Sequence, residues 1–237
     1  MKTRTVLTVL TVLLFGANSV MAEAVVEDNF NSYVNGSVVG QGGWKNRSTG
    51  DNFIVQDTTV LEGAKALYIS GVSDSVIIKE GISLSDGIQT FYAKTENRNN
   101  WAPFSRIDFR MLRGGWDTGV YAQVALQWNG KVEYTKGGLN YQFATFNDDE
   151  WTKIDIEWRA TDASARYRAN DELWTDWYTY AGGGNFDSVG IDYGILGGSV
   201  LAGAHFDALG ANPVPEPGTI VLLLTGLIAC GFLLRRK

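Results

Sequence analysis

The chain has 237 residues, 45% of them hydrophobic and 12% aromatic, with 20 basic against 26 acidic side chains and a net charge of −6. Such a balance offers no positive surface to neutralise phosphates and so excludes nucleic acid as a partner. A single cysteine and a single histidine exclude a disulfide framework and a histidine-rich zinc site.

The N-terminus reads as an export signal. Lys2 and Arg4 form a positive leader, Val6 to Phe15 is apolar apart from Thr8 and Thr11, and Val20-Met21-Ala22 or Ala22-Glu23-Ala24 supplies the small residues of a cleavage site. Residues 1–22 are expected to be a signal peptide, because the apolar stretch is too short to span a bilayer. Residues 23–212 then form one domain, with 15 basic and 25 acidic side chains. The lone cysteine, Cys230, lies beyond it, so the domain's stability has to come from core burial.

Along this domain the hydrophobic period is two, which predicts an all-β fold. Phe104 to Met111 sets Ile107, Phe109 and Met111 against Arg106, Asp108 and Arg110. Val120 to Trp128 sets Ala122, Val124 and Leu126 against Tyr121, Gln123 and Gln127, and Trp151 to Arg159 sets Ile154, Ile156 and Trp158 against Lys153, Asp155 and Glu157. Each pattern is that of a half-buried antiparallel strand. Breaks at Gly114-Gly115, Asn129-Gly130, Gly137-Gly138 and Gly182-Gly183-Gly184 separate such runs, and Asn129-Gly130 predicts a two-residue hairpin. About a dozen strands at this spacing predict a sandwich.

Specific residues carry a resemblance as well. Glu27-Asp28-Asn29-Phe30-Asn31-Ser32-Tyr33, Gly40-Gln41-Gly42-Gly43-Trp44 and Gly63-Ala64-Lys65-Ala66-Leu67 resemble the opening of concanavalin A-like (LamG-like) jelly-roll domains. The strand from Trp151, the Arg166-Tyr167-Arg168-Ala169-Asn170 segment with Trp174, and the closing His205-Phe206-Asp207-Ala208-Leu209 resemble its later strands. The resemblance implies a jelly-roll β-sandwich, a fold that hosts lectins, glycosidases, lyases and structural modules alike.

Retaining glycosidases of that fold carry two glutamates on one strand as nucleophile and acid/base, about 5 to 5.5 Å apart. The nearest match here, Lys153-Ile154-Asp155-Ile156-Glu157, has a lysine where the nucleophile would stand. A lyase-type Gln-x-His strand is lacking, and no Gly-x-Ser-x-Gly elbow precedes His205, which reads as a residue of the last strand. No catalytic residue is therefore assigned, and binding is expected rather than turnover. A glycoside hydrolase or polysaccharide lyase of the jelly-roll type is the alternative, and a purely structural matrix protein the second. Trp174, Trp177 and Tyr178, together with Tyr121 and Gln123, are the candidate carbohydrate contacts, because pyranose faces stack on aromatic rings. The resemblance also implies a structural calcium, with Asp28 and Asp207 as ligands.

The last segment, residues 213–237, is an address. Pro215 and Pro217 stop any element arriving from the domain. From Thr219 to Leu234 no side chain is charged, a helix long enough at about 1.5 Å per residue to cross most of a bilayer core. Arg235, Arg236 and Lys237 favour the cytoplasmic side. Val-Pro-Glu-Pro, the short apolar helix and the basic end resemble the PEP-CTERM sorting signal, with Pro215, Glu216 and Pro217 as recognition element. That resemblance implies export, inner-membrane anchoring through the C-terminal helix, an exosortase as partner, and delivery to the cell surface or extracellular matrix beside exopolysaccharide. Deleting Val214 to Lys237 is expected to release the protein in soluble form; fractionation that left the truncated chain in the membrane would refute this reading.

Overall fold

Period-two alternation sets fifteen strands in the computed structural model, which describes residues 26–48, 52–69, 75–101, 103–115, 121–180, 182–194 and 203–210. The expected signal peptide and the apolar segment 219–234 lie outside these residues. In chain order the strands are β1 (Gly36–Ser37), β2 (Trp44–Asn46), β3 (Phe53–Gln56), β4 (Ala66–Ile69), β5 (Ser75–Leu84), β6 (Asp86–Thr95), β7 (Arg106–Leu112) and β8 (Tyr121–Gln127). They continue with β9 (Lys131–Lys136), β10 (Leu139–Thr145), β11 (Thr152–Arg159), β12 (Ser164–Ala169), β13 (Tyr178–Thr179), β14 (Phe186–Gly194) and β15 (Ala204–Asp207). A 3-10 turn at Arg98–Asn100 is the one helical element among the described residues, and none there is long and apolar enough to cross a membrane.

Two antiparallel sheets result. One has eight strands in the order β1-β3-β4-β15-β6-β11-β12-β13 and the other seven in the order β10-β9-β8-β7-β14-β5-β2. Phe91 of β6 stacks at 4.4 Å on Phe109 of β7 and at 5.7 Å on Phe206 of β15, so these positions face inward between the sheets. Trp158 of β11 meets Phe186 of β14 edge-on at 6.0 Å. All five rings are fully buried, and each aromatic removed from water contributes about 2 to 3 kcal/mol. Since paired residues share a face, register then fixes which side chains turn outward.

The chain's two ends are joined. Asp28 and Leu209 exchange backbone hydrogen bonds of 2.8 and 3.1 Å, and Gly210 N–H donates to the Thr90 carbonyl at 2.7 Å. Gly210 has φ +73, and a Cβ there would fall 2.1 Å from the Val26 carbonyl oxygen, so no other residue fits this crossing. The Asp28 carboxylate is buried and accepts from Tyr33 Oη at 2.5 Å, Trp44 Nε1 at 2.8 Å and Lys79 Nζ at 3.0 Å. Gly42 is what admits Tyr33, since a Cβ at that position would lie 1.5 Å from the phenol oxygen. The opening segments read from sequence as one pattern are thus a single packed cluster.

One turn differs from expectation. β8 and β9 do form a hairpin, but its loop is Trp128-Asn129-Gly130, closed by Gly130 N–H on the Gln127 carbonyl at 3.0 Å. Of these only Gly130 has positive φ, +81, whereas a two-residue type I′ turn needs both central residues there. Gly137-Gly138, with φ +59 and +79, meets that requirement and joins β9 to β10.

Asp28→Ala is expected to lower unfolding free energy by about 3 to 5 kcal/mol, because it strands a buried ammonium and an indole N–H. Trp44→Phe, which keeps the ring, should cost about 1 to 3 kcal/mol. Denaturant titration monitored by fluorescence measures both.

Candidate functional site

The Lys153-Ile154-Asp155-Ile156-Glu157 strand lies on the outward side of the eight-stranded sheet. Lys153, Asp155 and Glu157 stand beside Tyr92, Thr90 and Ile88 of β6, with Arg168 and Arg166 of β12 opposite the two acids. Each acid is held. Asp155, about 1% exposed, accepts from Thr90 Oγ1, Arg168 Nε at 2.6 Å and lies 3.7 Å from Lys153 Nζ. Glu157 accepts from Arg166 Nε at 2.6 Å. Lys153 donates to Asp171 at 2.6 Å. Burial pulls the Lys153 ammonium down, but Asp171 and Asp155 outweigh it and hold it above the ordinary lysine value. Both acids and the lysine of this strand are thus engaged with charged neighbours.

Above these arginines stand the two tryptophans. Arg159 lies 3.9 Å from the Trp177 ring, Arg166 lies 4.7 Å from both Trp177 and Trp174, and Arg168 lies 4.5 Å from Trp174. The result is a ladder, Arg159-Trp177-Arg166-Trp174-Arg168, that pins residues 170–177 onto β11 and β12. Both indoles remain partly exposed. Tyr178 is buried between the sheets, its hydroxyl paired with that of Tyr167 and its ring stacked at 5.3 Å on Tyr134.

Tyr121 and Gln123 belong to the other sheet. On β8 they pair with Leu112 and Arg110 of β7, so the five candidate carbohydrate contacts fall into three places. On the outward side of the seven-stranded sheet, Arg110 pairs with Gln123 and Gly190, and Asp108 with Ala125 and Asp192. Arg110 Nη2 donates to Asp108 and Asp192, each at 2.9 Å, and Arg106 approaches Asp108 at 3.1 Å. Gln127 donates to Glu133 at 3.0 Å. Small residues, Ala125 and Gly190, form the floor between these polar walls. Asp108 and Gln123 are only 1% and 2% exposed, yet Asp108 Oδ1 and Gln123 Nε2 have no hydrogen-bond partner among the described residues. Orphaned groups of this kind are rare in packed protein and mark places where a ligand or water completes the structure.

Sequence alternation already sets Arg106, Asp108 and Arg110 on one side of a strand and Gln123 and Gln127 on one side of another. What it does not contain is Asp192, whose place beside Asp108 is a matter of long-range register.

Asp28 and Asp207, the calcium candidates, share no donor. Asp28 holds Lys79 where a cation would sit, and Asp207 accepts from the N–H groups of Leu61, Glu62 and Ala208 at 2.8, 3.2 and 2.7 Å. Burial nevertheless pushes the Asp207 carboxyl up to about 6. Among the described residues no group of three or more His, Cys, Asp or Glu is placed to hold a metal. The acidic run Asp148-Asp149 is a turn in which Asp148 binds Arg98 Nε at 2.6 Å and Thr95 at 3.1 Å. His205 is buried on β15, with Nε2 2.7 Å from Glu96 and its ring 4.9 Å from that of Tyr68, and burial keeps its pKa below the usual histidine value.

Residues 213–237 match the PEP-CTERM protein-sorting motif. No curated protein sequence matches the chain. Among solved structures, the fold is similar to a sialidase at TM-score 0.58 and 12% identity over 80% of this chain, which spans 18% of that protein's length. It is also similar to the catalytic domain of a glycoside hydrolase family 131 protein from Coprinopsis cinerea, at TM-score 0.53, 13% identity and 80% and 95% of the two chains. The β-glucanase of Bacillus licheniformis aligns at TM-score 0.50, 13% identity and 77% and 95% coverage. These likenesses establish the jelly-roll sandwich and nothing finer.

Arg166 is the rung shared by both indoles and by Glu157. Arg166→Ala is expected to cost about 1 to 3 kcal/mol and to quench or shift tryptophan fluorescence, and Arg166→Lys to recover little, because an ammonium cannot lie flat against two rings. An Arg166→Ala protein of unchanged midpoint would refute the ladder's role.

Proposed function

We propose that this is an exported protein with three parts: a signal peptide at 1–22, a jelly-roll domain at 23–212 that contacts polysaccharide, and a sorting segment at 213–237. Its C-terminal motif hands it to an exosortase and, through the helix at 219–234, holds it in the inner membrane until it reaches the cell surface or extracellular matrix. The sorting motif supports the route, and the jelly-roll neighbours support a carbohydrate ligand.

The observation that carries the binding reading is the recessed polar patch on the seven-stranded sheet. Asp108, Arg110, Gln123 and Asp192 enclose a floor of small residues, and two of their polar atoms await a partner. Donors and acceptors fixed by a rigid sheet around small residues suit the hydroxyl groups of a sugar. Arg110 bridges Asp108 and Asp192, so one guanidinium already engages both carboxylates. This arrangement suits holding a glycan rather than cleaving it.

In glycan-array and calorimetric measurements, Gln123→Ala is expected to weaken binding about tenfold, close to 1.4 kcal/mol, while Val34→Ala, exposed beside β1 of the other sheet, leaves it unchanged. Absence of glycan binding by the folded protein would return the purely structural reading. Reducing-end release abolished by Asp108→Asn would return the hydrolase.

A further inference from the structure

At one end of the seven-stranded sheet lies β10, Leu139-Asn140-Tyr141-Gln142-Phe143-Ala144-Thr145, paired on one side with β9. No described residue pairs with its other side. Sheet edges are normally protected by lysine, proline, inward charges or a covering loop. In this strand there is no charge and no proline. Leu139 is 63% exposed and Tyr141 41%. In a domain with 25 acidic and 15 basic side chains, a neutral, aromatic, uncovered edge calls for an occupant.

We infer that β10 is a pairing edge for a second copy of this chain, joined antiparallel about a twofold axis at Tyr141. Three features favour a copy over another partner. The first is the hydrogen-bond pattern. Lys136 and Leu139 flank the two-residue Gly137-Gly138 turn and therefore bond to each other, as do Tyr134 and Tyr141, which leaves Asn140 and Gln142 with N–H and C=O directed at the open edge. A twofold axis at Tyr141 sets Asn140 opposite Gln142 of the second copy and closes these bonds in both directions.

The second feature is the side chains. Tyr141 stacks at 5.6 Å on Tyr134, which in turn stacks at 4.9 Å on Tyr167 and at 5.3 Å on Tyr178. This column of rings ends at Tyr141, the half-exposed member, and the twofold axis places the same ring of the second copy against it. Leu139 then faces Phe143 of the second copy. Third, β10 carries no charged side chain, so pairing it with itself sets no like charges opposite one another in a domain of net negative charge. The same edge of both copies is used, as a closed isologous contact requires. A register shift between Gln142 and Ala144 limits the regular stretch, so the pair is short and its formation concentration-dependent.

The absence of cysteine from the domain gives a direct test. In the full chain with Cys230→Ser, a Tyr141→Cys variant should give a disulfide-linked dimer under mild oxidation, while Val34→Cys, more exposed but on the other sheet's side, should not. Asn140→Pro removes only an outward N–H and should leave the fold intact by circular dichroism. It should nevertheless raise the dimer dissociation constant at least tenfold by analytical ultracentrifugation. Any of three results would overturn the proposal: equal cross-linking of both cysteine variants, cross-linking of Tyr141→Cys to a different protein in place of a second copy, or a wild-type protein that stays monomeric at high concentration.

Discussion

The buried carboxylate of Asp28 is the point on which the sandwich closes. It stands next to the first backbone bridge of the domain, to Leu209, and reaches the seven-stranded sheet through Trp44 on β2 and Lys79 on β5. One side chain therefore ties the N-terminal segment, the C-terminal strand and an edge of the opposite sheet. An ion in such a site is costly to desolvate, and it persists because Tyr33, Trp44 and the Phe30 N–H donate to it and Lys79 adds a cation. Asp207, by contrast, is held by three backbone N–H groups and no cation.

The two outer faces of the molecule differ in chemical state. On the eight-stranded sheet every acid of β11 is paired with a base of β12 or with Lys153, and the bases are in turn stacked on indoles; the face is saturated and reads as structure. On the seven-stranded sheet Asp108 and Gln123 are buried with capacity left over. Saturation against deficit distinguishes the two faces more clearly than residue type does, since both are rich in arginine and carboxylate.

Much of this was legible in the chain. Alternation in Arg106 to Leu112, Tyr121 to Gln127 and Thr152 to Arg159 gave the strands and their polar sides, because a half-buried strand must alternate. The sheet to which each strand belongs was not legible: Gln123 and Trp174 stand on different sheets for reasons of topology that no local pattern encodes. The Arg-Trp ladder shows the same limit, since the arginines beneath Trp174 and Trp177 come together only through the register of Glu157 with Arg166 and Asp155 with Arg168. The β8–β9 loop was misjudged by one residue because Asn129 keeps negative φ, and Gly130 alone makes the turn.

One consequence of the topology concerns timing. In the eight-stranded sheet, β1-β3-β4 and β6-β11-β12-β13 are joined only by β15, which pairs with β4 on one side and β6 on the other. The strand made last is thus the keystone of the arch. A chain growing from its N-terminus presents the two halves unconnected, and the sheet cannot close until residues 204–207 have followed. Only a few residues separate this strand from Pro215-Glu216-Pro217, so the strand that completes the fold and the sorting motif are near neighbours in the chain.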